Sequence, residues 1–262
     1  MESKVALIRS NGDVQGSLER ALTLIGGIDD LNTEERTVIV KPGIFDHRKN
    51  NHPTVSAVSA IIGCFGKAPR ILMVESDNYR GTGLERLQVY KDLFNERVLP
   101  FNLSDDANTR EVTIAGEQMR LSHVLFKPNV FVSTHVLRRF DKGTILKNLL
   151  GLAPDRKKAR FHKKLVALLL DIYEAIGGID LAVIDGTHSY GGPSSSKGLK
   201  KELLLVGRDA VAVEAVGSTL CGLKPEKVPV IQEAVKRGLG EGDITDIEIL
   251  GEPIERSKGS QK

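Results

Sequence analysis

The residues most able to do chemistry follow an apolar stretch in the middle of the chain. Residues 130–133 are predicted to form a buried strand that delivers Thr134 and His135 to its carboxyl end, and Lys147 and Asn148 then lie in the first turns of a predicted helix. A histidine at such a place is suited to general acid–base catalysis, while the lysine and asparagine supply hydrogen-bond donors for an anion. We therefore predict a site for a small phosphate- or carboxylate-bearing ligand.

Positive charge is concentrated around this site. Residues 138–164 contain ten Lys and Arg against two acidic residues, a local balance of +8, whereas the whole chain carries +3. The rest of the protein is therefore net acidic, and an anionic partner is expected near this segment. Two partners fit the charge, a small anion or nucleic acid bound along 138–164. A solvated helical face would also produce such a run.

The elements that must position these residues alternate between strand-like and helix-like periods. This alternation predicts an α/β fold with a mostly parallel sheet and helices on both faces. Ligands bind outside the carboxyl ends of the strands in such sheets, so polar residues that directly follow strands are expected to converge. We assign catalysis to His135 and Asp185. The candidate ligand-binding residues are Lys41, His52, Asp77, Thr134, Lys147, Asn148, Gly192, Ser194 and Lys197.

Some of these residues also have purely structural explanations. Asp185 precedes Gly186 and could form a turn, while Asp209 is best explained as a helix N-cap. The Gly/Ser-rich segment 191–198 offers hydroxyls, backbone N–H groups and the Lys197 ammonium for an anion, and we interpret it as a lid. It does not match a P-loop, and no G-x-G-x-x-G follows the first strand, so nicotinamide binding in the usual manner is disfavoured.

A divalent metal is an alternative use of the same crevice. His52, His135 and His162, with an aspartate such as Asp77 or Asp185, would suit zinc, nickel or iron. These histidines lack the short spacing of a metal motif, so metal-free anion binding ranks first.

Composition and length predict how the chain is organised. The 262 residues, 40% of them hydrophobic, are expected to form a single α/β domain over 1–251, with a β-rich insertion near 98–128 and a disordered tail over 252–262. No apolar run is long enough for a membrane span, and the start has no signal-peptide core, so we expect a cytoplasmic protein. Cys64 and Cys221 are expected to be buried free thiols.

Several of these segments together resemble the DUF362 domain family, over roughly Val38 to Gly251. The family has no settled activity, and the resemblance implies ferredoxin-type iron–sulfur modules only in some members. With two cysteines, an iron–sulfur cluster is not expected in this chain. The resemblance rests on Lys41-Pro42, Asn51-His52-Pro53, Glu75-Ser76-Asp77, Thr134-His135, Lys147-Asn148-Leu149-Leu150-Gly151, His162, Asp185-Gly186, Gly192-Pro193 and Asp209.

The sequence also departs from the family pattern. Gly43 stands where Asn is usual, Ser133 where Lys is usual, and Glu214 where Asp is common. One cation is thereby lost, and Arg138 or Arg139 is a candidate replacement. Three functions remain open: an enzyme that uses histidine acid–base chemistry on an anion, a nucleic-acid binder, and a non-catalytic regulatory subunit that keeps the pocket.

Overall fold

The protein is built on one large sheet, seen here in a computed structural model that describes residues 3–192, 195 and 197–254. Within these residues, eight strands form the large sheet and two form a separate antiparallel pair. The strands are β1 Ser3–Arg9, β2 Val38–Pro42, β3 Ile71–Glu75, β4 Val98–Asn102, β5 Thr109–Ile114, β6 Glu117–Ser122, β7 Val130–Arg138, β8 Leu181–Tyr190, β9 Gly198–Gly207 and β10 Ile247–Gly251.

The sheet is parallel except for one strand. Its order is β10-β1-β9-β8-β7-β2-β3-β4, and β9 runs antiparallel to both of its neighbours, β1 and β8. Strand β7 lies between β2 and β8 and is buried along its whole length, as expected for a central parallel strand covered on both faces. Its register sets Ser133 beside Lys41, so the polar ends of β7 and β2 lie side by side.

Helices cover both faces of the sheet. One hydrophobic core joins the first two helices to residues such as Val40 and Val132, and the other joins the last three helices to residues such as Ile39 and Phe131. This arrangement confirms the predicted α/β fold. The α-helices are α1 Val14–Leu24, α2 Val55–Cys64, α3 Gly83–Leu87, α4 Leu165–Ala175, α5 Ala210–Leu220 and α6 Pro229–Lys236.

Local signals at two helix starts agree with the structure. Thr54 and Asp209 are N-caps, of α2 and α5 respectively, and each side chain accepts hydrogen bonds from backbone N–H groups of the first turn. The helix expected from Thr144 is instead a 3-10 helix, Lys147–Leu152. A second 3-10 helix, Lys158–Lys164, leads into α4.

The predicted β-rich insertion is smaller than expected. Only β5 and β6 form the antiparallel pair, whereas β4 pairs in parallel with β3 and is the edge strand of the large sheet. A half-buried edge strand and a strand of an exposed flap have similar residue patterns, so the sequence does not separate them.

The strands β8 and β9 extend as an antiparallel pair as far as Tyr190 and Gly198, so they reach both ends of the Gly/Ser-rich segment 191–198. Cys64 and Cys221 are free and half-buried, and burial raises the pKa of their thiols to about 11 and about 12. In the described part of the chain no helix has both the length and the apolar character needed to cross a membrane.

Candidate functional site

A cavity of about 280 Å³ lies at the carboxyl ends of β2, β3 and β7. The strand ends contribute Lys41, Glu75 and His135, as the rule for parallel sheets predicts. Six Lys and Arg side chains line the cavity against one acidic residue, so it is strongly electropositive. Its polar and charged lining residues are Lys41, Glu75, Asn78, Arg86, His135, Arg138, Lys142, Lys147, Asn148, Lys158 and His162, and its larger apolar and aromatic ones are Ile44, Phe45, Tyr79, Phe140 and Leu150.

One side of the cavity, which we call the paired side, contains two cations and their counter-ion. The Lys41 ammonium lies 3.0 Å from a Glu75 carboxylate oxygen and 3.0 Å from the Asn148 side-chain oxygen. Arg86 lies 3.0 Å from the same Glu75 oxygen. Asn148 in turn donates to the Lys41 carbonyl at 2.8 Å. Each charge on the paired side is therefore neutralised or hydrogen-bonded within the protein.

The paired side is closely packed as well as internally paired. Lys41 and Glu75 are each 1% exposed. Burial alone would raise the pKa of Glu75, but the charges of Arg86 and Lys41 outweigh it and hold that pKa below its ordinary value. A Cβ atom at Gly151 would lie 2.7 Å from the Lys41 ammonium and 2.9 Å from Glu75, so the backbone comes too close there for any side chain.

The opposite side, the unpaired side, consists of His135, Arg138 and Lys147. Among the described residues Lys147 forms no hydrogen bond or ion pair. Arg138 is 6% exposed, and among the described residues its Nε has no partner. Its guanidinium donates one long hydrogen bond of 3.4 Å to the Gly143 carbonyl and lies 5.2 Å from the centre of the Phe140 ring. Burial lowers the pKa of Arg138 to about 10 and, together with the neighbouring cations, that of Lys147 to about 7.

Glu214 attracts Arg138 of the unpaired side, but its carboxylate is already hydrogen-bonded to backbone N–H groups. Glu214 is buried, and its carboxylate accepts the backbone N–H groups of Thr144 at 2.7 Å and Leu146 at 2.9 Å. It attracts Arg138 electrostatically but forms no ion pair with it. The cations of the unpaired side thus lack a contacting counter-ion, which is unusual for buried charge.

His135 is a neutral histidine inside the cavity. The ring is 4% exposed, and burial together with the charges of Arg138 and Lys41 holds its pKa well below the ordinary value. Its Nδ1 lies 3.3 Å from the Val136 carbonyl, which can only accept, so Nδ1 carries the proton and Nε2 is free to accept one. A Cβ at Gly43 would lie 2.0 Å from the ring, so the glycine that departs from the family pattern makes room for His135.

Another cavity lysine, the half-buried Lys158, anchors the 3-10 helix Lys158–Lys164 to the strand ends. Its ammonium donates to the Ser76 hydroxyl at 2.8 Å and to the carbonyls of Asp77 at 2.6 Å and Ala153 at 2.8 Å. Burial lowers its pKa to about 8. Lys158 is therefore held by oxygen acceptors, unlike Lys147.

Five of the predicted site residues line this cavity: Lys41, His135, Lys147, Asn148 and His162. The sequence analysis did not assign Arg86 or Lys158 to the site, and it named Glu75 only as part of the segment Glu75-Ser76-Asp77. Arg138 was noted as a replacement cation. No local pattern distinguishes Arg86, because it reaches the cavity from α3 through the tertiary fold.

Two predicted carboxylates lie elsewhere and have structural partners. Asp185 accepts the backbone N–H of Thr54 at 2.7 Å and its hydroxyl at 2.8 Å, and so fixes the start of α2. Asp77 accepts the N–H of Gly83 at 3.0 Å and the side-chain amide of Asn102 at 3.0 Å. Neither side chain lines the cavity.

The remaining predicted residues are also outside the cavity lining. His52 faces the Pro53 carbonyl at 3.0 Å and the edge of Tyr90, and Thr134 has a fully buried hydroxyl without a partner. The carbonyls of Gly192 and Lys197 accept hydrogen bonds from Asn51 and Ser195. Ser194 lies outside the described residues.

The histidines proposed for a metal are not brought together. His135 and His162 line the cavity and His52 does not. Across 3–192, 195 and 197–254, no three His, Cys, Asp or Glu side chains form a group that could hold a metal ion.

The basic segment 138–164 is divided between the cavity and the surface. Arg138, Lys142, Lys147 and Lys158 line the cavity. Arg160 and Lys164 pair with Glu117 on the β5–β6 hairpin. The other cations of the segment are exposed: Arg139, Arg156, Lys157 and Lys163. The segment therefore does not form one continuous basic face.

Fold and cavity together define an α/β protein with an electropositive cavity at the strand ends. The sequence model described as Domain of unknown function (DUF362) matches residues 38–219, more than half of the chain. The chain therefore belongs to the DUF362 family, which confirms the resemblance seen in its motifs.

Other comparisons add little. No curated protein matches the sequence significantly. Among solved structures, the lactate racemase apoprotein from Thermoanaerobacterium thermosaccharolyticum is similar with a TM-score of 0.49 and 12% identity. The match covers 87% of this chain and 58% of that chain, so the protein spans less than two thirds of its length. A similarity at this level bears on neither the site nor the activity.

Proposed function

We propose that the strand-end cavity binds a small ligand bearing a phosphate or carboxylate group and that the protein performs acid–base chemistry on it. The observation that carries this proposal is the contrast in counter-ions within the cavity. Lys41 and Arg86 share Glu75, whereas Arg138 and Lys147 have no contacting counter-ion among the described residues. Buried cations without a partner are stabilised when an anion enters.

The structure supports a changed set of roles for the candidate residues. Lys41 and Asn148, which the sequence suggested as anion ligands, bond to each other and to neighbouring groups, so they shape the site. Arg138 takes over the main anion contact, because its planar guanidinium suits carboxylate and phosphate oxygens. Lys147 is the second cation, and neutral His135 is the general base.

The size of the cavity favours a small ligand. Its volume of about 280 Å³ is at the lower end of ordinary ligand sites. A bound nucleic acid would instead use the exposed cations of segment 138–164, and no arrangement of those cations favours it. A non-catalytic regulatory subunit would bind the same anion in the same cavity without turnover.

Isothermal titration of inorganic phosphate and of malonate tests the proposal. We expect Arg138→Met to weaken binding of at least one of these anions by about tenfold or more, as for loss of a charge-assisted contact of about 1.5–3 kcal/mol. Lys163→Met is the matched control, because Lys163 is an exposed cation of the same segment outside the cavity. Equal affinity in the wild type and Arg138→Met, or equal losses in both variants, would contradict the proposal.

A further inference from the structure

We propose that Lys147 is a nucleophilic amine that condenses with the carbonyl carbon of a small anionic aldehyde or ketone. This inference rests on the proposed function and names the ligand class of the same cavity: a carbonyl compound that also carries a phosphate or carboxylate group. It assigns to Lys147 a covalent role in place of a purely electrostatic one.

The four lysines of the cavity differ in their partners. Lys41 donates to three acceptors and Lys158 to four. Lys142 is exposed to solvent. Lys147 alone of these four lines the cavity without a hydrogen bond and without full exposure. A lysine whose protons are donated to acceptors is held as the ammonium and has no lone pair to attack a carbonyl carbon, so the cavity leaves one lysine able to attack.

The charges around Lys147 favour its reactive, neutral form. Burial is the largest cause, since it disfavours the charged ammonium, and four neighbouring cations add to it by repelling the proton: Arg138 on β7, Lys142 in the following loop, Lys158 on the 3-10 helix and Lys41 on β2. These forces lower the pKa of Lys147 to about 7. About half of the Lys147 side chains in a sample are then neutral at pH 7, compared with roughly one in 2,500 for an ordinary lysine of pKa about 10.4. Lysines desolvated beside other cations are used in this way for Schiff-base chemistry.

Arg138 and Lys147 can have different roles, one in binding the anionic group and the other in the covalent step. Arg138 remains charged at neutral pH, because the pKa of its guanidinium is lowered only to about 10. Arg138 can therefore hold the anionic group while Lys147 attacks. The Lys147 lone pair forms a C–N bond to the carbonyl carbon, and the two N–H protons of the neutral amine pass in turn, through His135 Nε2 or solvent, to the carbonyl oxygen. The C–O bond then breaks, that oxygen leaves as water and an imine remains, with no oxidant or reductant required.

Borohydride trapping tests this step. The wild-type protein is incubated with pyruvate or with glyceraldehyde 3-phosphate, reduced with sodium borohydride and digested with trypsin. We expect a stable secondary amine at Lys147 that blocks cleavage there. Lactate and glycerol 3-phosphate, which lack the carbonyl, should give no adduct. Lys147→Arg removes the nucleophile and should lose the adduct, whereas Lys163→Arg, at an exposed lysine outside the cavity, should form the adduct at Lys147 as the wild type does.

A second measurement does not depend on any variant folding. Competitive labelling of the wild-type protein with a trace of acetic anhydride reports the neutral fraction of each amine across pH. Lys147 should titrate near pH 7. The inference is overturned if no adduct forms at Lys147, or if adducts are spread over exposed lysines equally in wild type and Lys147→Arg. Phosphate binding that survives in either case would leave the anion site intact and remove only the covalent step.

Discussion

The paired and unpaired sides of the cavity hold similar cations in opposite electrostatic situations. On the paired side Glu75 contacts both Lys41 and Arg86 at 3.0 Å. On the unpaired side Arg138 and Lys147 face the cavity, and the carboxylate of Glu214 is occupied by backbone N–H groups. We infer from this difference that the paired side stabilises the fold, whereas the unpaired side is available for an anionic ligand that supplies the counter-ion.

Removing the shared counter-ion should have the largest effect on stability. Glu75→Gln leaves Lys41 and Arg86 buried without their carboxylate counter-ion, and breaking a buried pair in this way costs about 3–5 kcal/mol. We expect a loss of that size in the free energy of unfolding, measured with urea. Glu117→Gln removes one ion-pair partner of the half-exposed Arg160 and Lys164, while Arg160 keeps Asp155, and should cost less than about 1 kcal/mol. Equal losses of unfolding free energy in the two variants would contradict the expectation that the buried pair stabilises the protein more than the surface pair does.

The comparison extends to a carboxylate that lies outside the cavity. Asp185→Ala removes three hydrogen bonds to Thr54 and Thr187 and should destabilise the protein by about 1–3 kcal/mol. Affinity for phosphate should stay within about twofold of wild type, because Asp185 does not line the cavity. Asp185 was predicted to be catalytic, so a large loss of ligand affinity in a folded variant would restore that role.

The fold was more predictable than the site. Val130, Phe131 and Val132 form a run that only a buried strand explains, and the strand-end rule then placed Lys41 and His135 in one crevice. The same rule also selected Asp185, because a sequence does not show that Thr54 would occupy its carboxylate. Arg86 was missed since it reaches Glu75 from a helix that no strand-end argument includes.

On the unpaired side, loss of the positive charge of Lys147 should raise the stability of the protein, whereas loss of the Glu75 charge lowers it. The pKa of Lys147 is lowered in the folded state, so the unfolded chain binds more protons between pH 7 and about 10.4. Stability should therefore rise with pH across that interval, and Lys147→Met should reduce the slope. Lys158, with a pKa lowered to about 8, and Lys41, whose pKa burial also lowers, contribute in the same direction. Urea unfolding at pH 6, 7.5 and 9 measures this, and a steeper slope in Lys147→Met would contradict the account.

The same titration predicts a modest effect on ligand affinity. Sulfate keeps a constant charge across this interval, and it should bind more weakly as the pH rises above about 7, where Lys147 loses its proton. Calorimetric titration at pH 6 and pH 8.5 should show a difference that Lys147→Arg removes. Weakening of equal size in Lys147→Arg would assign the pH dependence to another group.

Charge reversal on the exposed cations should have the smallest effect on the cavity. Arg156, Lys157 and Lys163 are exposed and do not line it, so a triple change to Glu should alter phosphate affinity by less than about threefold through screened long-range charge. The same variant should lose any nucleic-acid binding, measured by fluorescence anisotropy with a labelled oligonucleotide. Tight nucleic-acid binding in the triple variant would exclude these three cations as its interface.

The most direct test of the central claim is to locate a bound anion. Crystals soaked in selenate, whose selenium scatters anomalously, should show a peak in the cavity within hydrogen-bond distance of Arg138 and Lys147, and the peak should be absent in Arg138→Met. Density beside Lys41 and Arg86 with the unpaired side empty would reverse the assignment of the two sides. Peaks confined to the exposed cations of the basic segment would contradict an anion site at the strand ends.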